Sequence, residues 1–105
     1  MNDYKREEIK QYILDNYQEY ETKDIADLHN QLFNTDYYIY GTYNAKQWCG
    51  DKVFDIIETI QEYEEDQFGE VTTVLSNPEV VVNMYCYIIG EELLSEMAEE
   101  LKLEV

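Results

Sequence analysis

Positively charged residues are scarce in this sequence. Seven Lys or Arg stand against 24 Asp or Glu and one His, which gives a formal net charge of −17. Proteins bind nucleic acid and anionic membranes largely through Lys and Arg that face phosphates. The shortage therefore excludes binding of nucleic acid or of an anionic membrane through a basic face. We also expect no membrane-spanning segment, because no run of about 18 apolar residues occurs.

Residues that break helices are also few, with four Gly and one Pro. Their shortage favours helices over a fold with many tight turns. Hydrophobic residues make up 45% of the chain and aromatic residues 14%, whereas acidic disordered chains are poor in aromatics. We therefore predict a mainly α fold: a single acidic domain over residues 1–105, built as a small bundle of four to five helices.

The residues of common catalytic and metal sites are nearly absent. Cys49 and Cys86 form no Cys-x-x-Cys pair, and we interpret them as buried, reduced thiols of an intracellular protein. His29 is the only histidine, so no His-based relay is available, and we interpret it as a half-buried side chain with satisfied hydrogen bonds. No phosphate-binding glycine loop, nucleophile elbow or EF-hand spacing occurs. We expect no enzymatic activity, no cofactor and no bound metal, and we expect no signal peptide, because residues 1–6 lead into no apolar stretch.

Capping residues and apolar periodicity predict five helices. Their approximate limits are Asp3 to Tyr20, Asp24 (or Thr22) to Asn34, Asn44 to Trp48, Lys52 to Gln67 and Asn77 to Leu101. Asp51 is the predicted cap of the fourth helix, and Gly69 its left-handed C-terminal residue. In the fifth, residues 80–89 are apolar nearly all round, and a buried strand is the alternative. The Asn-Pro start and the continuing leucines favour one long helix, with a bend at Gly90 as an option.

A tyrosine-rich segment separates the second and third predicted helices. It contains Tyr37, Tyr38, Tyr40 and Tyr43, four of the eleven tyrosines in the chain. Its β-branched and aromatic residues suit a short extended segment at 36–43. Tyrosine packs an apolar ring while its hydroxyl stays in water, and it is enriched at interfaces. We interpret these residues as a core rim or as a subunit interface.

The acidic residues concentrate in the second half of the chain. Residues 1–52 contain 10 acidic and 6 basic residues, whereas residues 53–105 contain 14 acidic residues and one basic residue, Lys102. Two rows without an interspersed Lys or Arg are predicted on helices. The row on the fourth helix is Asp55, Glu58, Glu62, Glu65 and Asp66, and the row on the final helix is Glu92, Glu96, Glu99 and Glu100.

These rows suggest a use for the charge. A helix built only for solubility gains from Glu–Lys pairs four residues apart, whereas like charges at that spacing repel by a few tenths of a kcal/mol. Carboxylates four residues apart lie about 6 Å apart along the axis, close to the separation of neighbouring phosphates on one DNA strand. The pattern therefore favours a rigid carboxylate array that imitates the DNA backbone. The alternative is a solvated acidic face that serves solubility alone.

Glu64 does not fit the row on the fourth helix, because it projects from the centre of the apolar face near Ile57 and Ile60. Two interpretations stay open. Either the helix frays before Glu64, or the carboxylate meets a partner, such as the tyrosine segment or another subunit.

Several short motifs occur within roughly residues 22–100: Asp-Leu-His at 27–29, the pair Tyr37-Tyr38, and the acidic Leu-rich ending with Glu91-Glu92-Leu93-Leu94. Together they resemble the layout of phage anti-restriction proteins of the Ocr type. The resemblance implies a homodimer that is similar to a bent DNA duplex and blocks type I restriction–modification enzymes and related DNA-binding defence systems. It also implies the cytoplasm as location, that of the host cell if the chain is phage-encoded.

Two alternative functions are therefore expected, one as an inhibitor and the other as a structural or interaction module. In the first, the protein is an inhibitor that occupies the basic DNA-binding groove of a defence enzyme, such as a restriction–modification enzyme or a CRISPR effector. In the second, it is a small acidic structural or interaction module that assembles through its tyrosine-rich surface. A carboxylate enzyme is a third possibility, which would depend on one specific acid rather than on the summed charge.

Overall fold

A computed structural model describes residues 4–33 and 42–104, with the backbone alone for 42–44. Within these ranges the chain forms five α-helices and two short 3-10 helices and contains no strand. The α-helices are α1 (Arg6–Asn16), α2 (Ile25–Leu32), α3 (Thr42–Cys49), α4 (Val53–Phe68) and α5 (Pro78–Met97), and the 3-10 helices are Tyr17–Glu19 and Gly50–Lys52. The prediction of a small, mainly helical domain is confirmed.

Helix α5 lies at the centre, and α1, α2, α3 and α4 all pack against it. This position explains why residues 80–89 are apolar nearly all round, since a helix that is surrounded by others has no solvent face along that stretch. Ten of its residues are buried, among them Tyr85, Ile89 and Leu94. The interpretation as one long helix is therefore correct, and the alternative of a buried strand is wrong.

The outer helices bury the faces that their periodicity predicts. Ile13 of α1, Leu28 and Leu32 of α2, and Ile56 and Ile60 of α4 are fully buried. Each of these helices therefore contributes one apolar stripe to a common core around α5.

Three predicted helix ends are confirmed by backbone geometry. The Asp24 side chain accepts from the backbone N–H of Ala26 at 2.8 Å and of Asp27 at 3.2 Å. Asn77 likewise caps α5, and Pro78 occupies its first turn. Gly69 ends α4 in the left-handed conformation, at a φ of 78°.

Other predicted ends are wrong. Because α3 begins at Thr42, Asn44 lies inside its first turn and does not cap it, and residues 42 and 43 are helical rather than extended. Asp51 does not cap α4, because it belongs to a 3-10 turn that leads directly into that helix, and Lys52 is the N-cap without a side-chain bond. The predicted cap Asp3 and the rest of the tyrosine segment lie outside the described residues.

Gly90 has a packing role in α5, which continues through it without interruption. A Cβ atom at this position would lie 2.4 Å from Cε2 of Phe33, well inside van der Waals contact. Glycine therefore allows the end of α2 to approach α5 closely.

The end of the described chain returns to the start of α2. After Met97 the backbone makes one more turn, closed by Lys102 at a φ of 59° and by a 2.8 Å bond from Leu103 N–H to Ala98 O. Glu104 then pairs with the residues on either side of Asp24: its N–H donates to Lys23 O, and its carbonyl accepts from Ile25 N–H. This pairing fixes the turn beside the loop that precedes α2.

Candidate functional site

The acidic row on α4 is an exposed helix face. All five of its carboxylates are exposed, whereas Ile56 and Ile60 of the same helix are fully buried against the core. Asp55 and Asp66 are separated by about 17 Å along the axis, from the rise of about 1.5 Å per residue. Within the described ranges, no ion pair involves Glu58, Glu62, Glu65 or Asp66. The α4 row therefore presents a line of exposed negative charge along one face of the helix.

The second predicted row differs, because a basic residue from α1 joins it. The Arg6 guanidinium donates to Glu92 at 2.9 Å and also to Glu96. The bond to Glu92, supported by Glu96, raises the pKa of Arg6 against the opposing effect of burial. No Lys or Arg is interspersed in this row in the sequence, but α1 packs on α5 and delivers a cation from a distant part of the chain.

The other two members of that row lie beyond the helix. Glu99 and Glu100 are exposed in the turn that follows α5, which ends at Met97. Their predicted place on the final helix is therefore wrong, because the backbone leaves the helix through the Lys102 turn. Only Glu92 and Glu96 of the four are on α5, and both contact Arg6. Sequence spacing offers no signal that selects Arg6 from the other basic residues.

Glu64 is buried within α4, with 2% of its surface exposed. Its carboxylate accepts a hydrogen bond from Thr72 Oγ1 at 2.8 Å and one from the Thr73 backbone N–H at 3.0 Å. Burial alone would raise the pKa of Glu64, but these hydrogen bonds outweigh it and hold the pKa below its ordinary value.

The interpretation in which the helix frays before Glu64 is therefore wrong, and the one in which the carboxylate meets a partner is correct. Helix α4 continues to Phe68, and the partner of the carboxylate is the connector between α4 and α5. The signal that could have found this partner is the Thr-Thr pair at 72–73, which follows the helix-ending Gly69 and offers hydroxyl and backbone donors.

Tyr63 links α4 to α5. Its hydroxyl donates to Glu91 at 3.2 Å. Partial burial, with the nearby charge of Glu91, raises the pKa of Tyr63 to about 12. Burial and Glu91 also raise the pKa of Tyr87. Helix periodicity places Tyr63 near the inner face of α4 with Ile56 and Ile60, but it does not predict this polar contact.

The predicted tyrosine interface falls largely outside the described residues. Tyr37, Tyr38 and Tyr40 lie there, and only the backbone of Tyr43 is described, within α3. No observation therefore bears on their role as a subunit interface.

Another aromatic cluster closes the core between the start of α1, α3 and α5. The rings of Tyr4 and Trp48 are 5.7 Å apart and those of Trp48 and Tyr85 6.0 Å, both edge to face. The Tyr85 hydroxyl donates to Tyr4 O at 2.6 Å, and Trp48 Nε1 donates to Glu8 at 3.0 Å. These aromatics stabilise the fold and leave no open stacking platform there.

The histidine and the two cysteines belong to the packed interior. His29 is 6% exposed and is therefore buried rather than half-buried, and its Nε2 lies 2.8 Å from Tyr87 O, which confirms that it is hydrogen-bonded. Cys49 and Cys86 are buried and do not form a disulfide, and burial raises the pKa of Cys49. Over residues 4–33 and 42–104, no group of three or more His, Cys, Asp or Glu is placed to hold a metal ion. None of the helices in these ranges is long and apolar enough to cross a membrane.

No family model, curated protein or solved structure matches the chain. Of the two predicted rows, the α4 row contains four carboxylates for which no ion pair occurs within the described ranges, whereas the two carboxylates on α5 both pair with Arg6.

Proposed function

We propose that this protein inhibits a DNA-binding enzyme by imitating the DNA backbone. The observation that carries the proposal is the α4 row, a line of exposed carboxylates on a rigid helix. No ion pair within the described ranges involves Glu58, Glu62, Glu65 or Asp66. The resemblance to Ocr-type proteins points to the same target class, namely restriction–modification enzymes, CRISPR effectors and other DNA-binding defence enzymes with a basic groove.

The mechanism is competition at equilibrium. Each α4 carboxylate takes the place of a phosphate, and the Lys and Arg of the target groove neutralise it and release counterions to the solvent, as they do when they bind DNA. The helix holds its carboxylates in place through Ile56 and Ile60, which anchor the opposite face in the core. Because the helix that carries these charges is formed before binding, little backbone conformational freedom is lost when the target engages them.

The acidic residues at the end of α5 have a smaller part in this mechanism. Arg6 already holds the carboxylates of Glu92 and Glu96, so they are not free to meet a cation of the target. Glu99 and Glu100 remain exposed in the following turn. We therefore place the main contact on α4 and an auxiliary contact on Glu99 and Glu100.

Charge reversal on α4 tests the proposal. The triple variant Glu58→Lys, Glu62→Lys and Glu65→Lys is compared with the parent chain for inhibition of a purified type I restriction enzyme and of a CRISPR effector. We expect the parent chain to inhibit at least one of them, with an affinity that falls steeply between about 50 mM and about 200 mM salt. The triple variant should bind about 100-fold more weakly, at about 1 kcal/mol for each reversed charge.

A second triple variant provides the matched control. Glu7, Glu19 and Glu21 are also exposed glutamates but lie outside both rows, and changing them to Lys alters the net charge equally. If the two triple variants lose the same affinity, the summed charge rather than the α4 row acts on the target. Binding that is absent, or that does not change with salt, would contradict DNA mimicry.

A further inference from the structure

An apolar groove lies between the second half of α4, the connector and the first half of α5. Its volume is about 560 Å³. Its apolar lining consists of Tyr63, Phe68, Val74, Val80, Met84 and Tyr87. Two of these side chains are largely in solvent, because Phe68 is 60% exposed and Val74 is 59% exposed. Burying such side chains under a partner is favourable, since it removes apolar surface from water.

The walls of this groove are fixed by the polar contacts described above. Glu64 holds the connector through Thr72 and Thr73, immediately before Val74. The hydroxyl of Tyr63, on the α4 wall, donates to Glu91 of α5. The groove is therefore formed before any partner arrives, which lowers the entropic cost of binding.

The exposed carboxylates around the groove favour an occupant that carries positive charge. Glu65 and Asp66 precede Phe68 on α4, and Glu70 follows it on the connector; all three are exposed. The lining residues include no Lys or Arg. Lys102, the one basic residue of 53–105, lines a different pocket with Tyr17 and Lys23. An apolar segment that also carries positive charge is therefore complementary, whereas a second copy of this chain would bring a further charge of −17.

We infer that the groove docks a cationic amphipathic segment of a partner protein, with one aromatic or branched aliphatic side chain flanked by Lys or Arg. The apolar side chain enters between Phe68, Val74 and Met84, and the flanking cations face the carboxylates of α4 and the connector. The inference adds an apolar anchor to the acidic surface, and it holds whether or not the α4 row imitates DNA.

Binding of a short labelled peptide tests this inference on the full chain. The probe is a fluorescein-labelled peptide with the sequence Arg-Lys-Leu-Phe-Lys-Arg, and its binding is followed by fluorescence anisotropy. One control peptide carries Ser in place of Leu and Phe, and another carries Glu in place of every Lys and Arg. We expect the probe to bind at least about tenfold more tightly than either control, since both an apolar and a cationic element are needed.

Variants on α4 and on the connector locate the site. Phe68→Ser should weaken probe binding by about tenfold or more, and Val74→Ser by several-fold, because both side chains line the groove. Phe54→Ser is the matched control, since Phe54 is also an exposed α4 phenylalanine, at 80%, but lies outside the groove lining. All three side chains are exposed, so folding should be retained, as circular dichroism will verify.

Three outcomes would overturn the inference: equal effects of Phe68→Ser and Phe54→Ser, equal binding of the Ser control peptide, or no binding of the probe. Sedimentation of the chain alone tests whether a second copy of the chain occupies the groove instead. If the parent chain is a dimer and Phe68→Ser makes it a monomer, the groove holds a second copy and the inference is wrong. DNA mimicry would survive each of these outcomes, because its own test is charge reversal at Glu58, Glu62 and Glu65.

Discussion

The two acidic rows of this protein look alike in sequence and differ in the folded chain. The carboxylates on α4 face solvent, and no ion pair within the described ranges involves Glu58, Glu62, Glu65 or Asp66. Those on α5 meet Arg6 from the first helix, and the remaining pair lies in the turn beyond. A helix that crosses the core, as α5 does, is bordered by other helices, and any of them can deliver a counter-charge. An outer helix such as α4 keeps its free face.

A similar contrast exists between the two faces of α4. Glu64 is buried and bonded to the connector, whereas Glu62 and Glu65 on either side of it are exposed. The same residue type therefore supports the fold at one position and supplies surface charge at its neighbours. An acidic residue can therefore be assigned to a binding surface only once its partners inside the molecule are known.

Removing carboxylates from α4 should weaken target binding far more than removing those from α5. Changing Glu58, Glu62 and Glu65 to Gln should weaken inhibition by about 30-fold, whereas changing Glu92 and Glu96 to Gln should weaken it less than about threefold. The reason is that Arg6 already holds the second pair of carboxylates. The measurement is competition with duplex DNA for one target enzyme. An equal loss of affinity per removed charge in the two variants would show that the two rows contribute alike.

Removing the buried carboxylate should destabilise the fold. Glu64→Ala leaves the Thr72 hydroxyl and the Thr73 N–H without their acceptor, so the free energy of unfolding should fall by about 2 kcal/mol. Urea denaturation at neutral pH measures this loss. Glu65→Ala, an exposed neighbour, is the control, and we expect it to change stability by less than about 0.5 kcal/mol.

The same carboxylate gives stability a pH dependence of known sign. Because the folded pKa of Glu64 lies below its unfolded value of about 4.3, its contribution is complete above that value and is lost as the pH falls through the folded pKa. This contribution is measured by comparing the free energy of unfolding of the parent chain and of Glu64→Gln between neutral pH and about pH 3. The stability difference should shrink at low pH, and a difference that grows there would contradict the direction of the shift.

Breaking the Arg6 contacts should have a smaller effect. Arg6→Ala leaves Glu92 and Glu96 without their cation, and we expect a loss of about 1 kcal/mol, since both carboxylates are partly in water. Lys10→Ala, a basic residue of the same helix for which no ion pair occurs in the described ranges, is the control. If both variants denature at the same urea concentration, the Arg6 contacts contribute nothing to stability.

The smallest expected effect is a gain in stability. Glu62→Lys places a cation four residues from both Glu58 and Asp66, so repulsion along the α4 row becomes attraction, and stability should rise by about 0.5 kcal/mol. High salt should reduce this gain. Thermal unfolding at low and high salt measures it, and a loss of stability at low salt would show that the row carries no repulsion.

Most of the fold could be predicted from the sequence because its determinants are local. The spacing of Ile9 and Ile13 predicts one helix face, and Asn77 with Pro78 predicts the start of another. The predicted helix ends are wrong where one element leads directly into the next, as at Asp51, because no capping residue is needed there. The candidate site was only partly predictable, since spacing identifies which carboxylates share a helix face but not which of them meet a base from elsewhere.

The helical class, the central apolar helix and the excess of negative charge follow from composition and from periodicity along the chain. Which charges remain at the surface depends on the tertiary structure. It brought Arg6 to Glu92, turned Glu64 into the anchor of the connector, and left Phe68 and Val74 beside an open groove. Each of these depends on contacts between residues far apart along the chain or across a loop, and helix periodicity carries no information about such contacts.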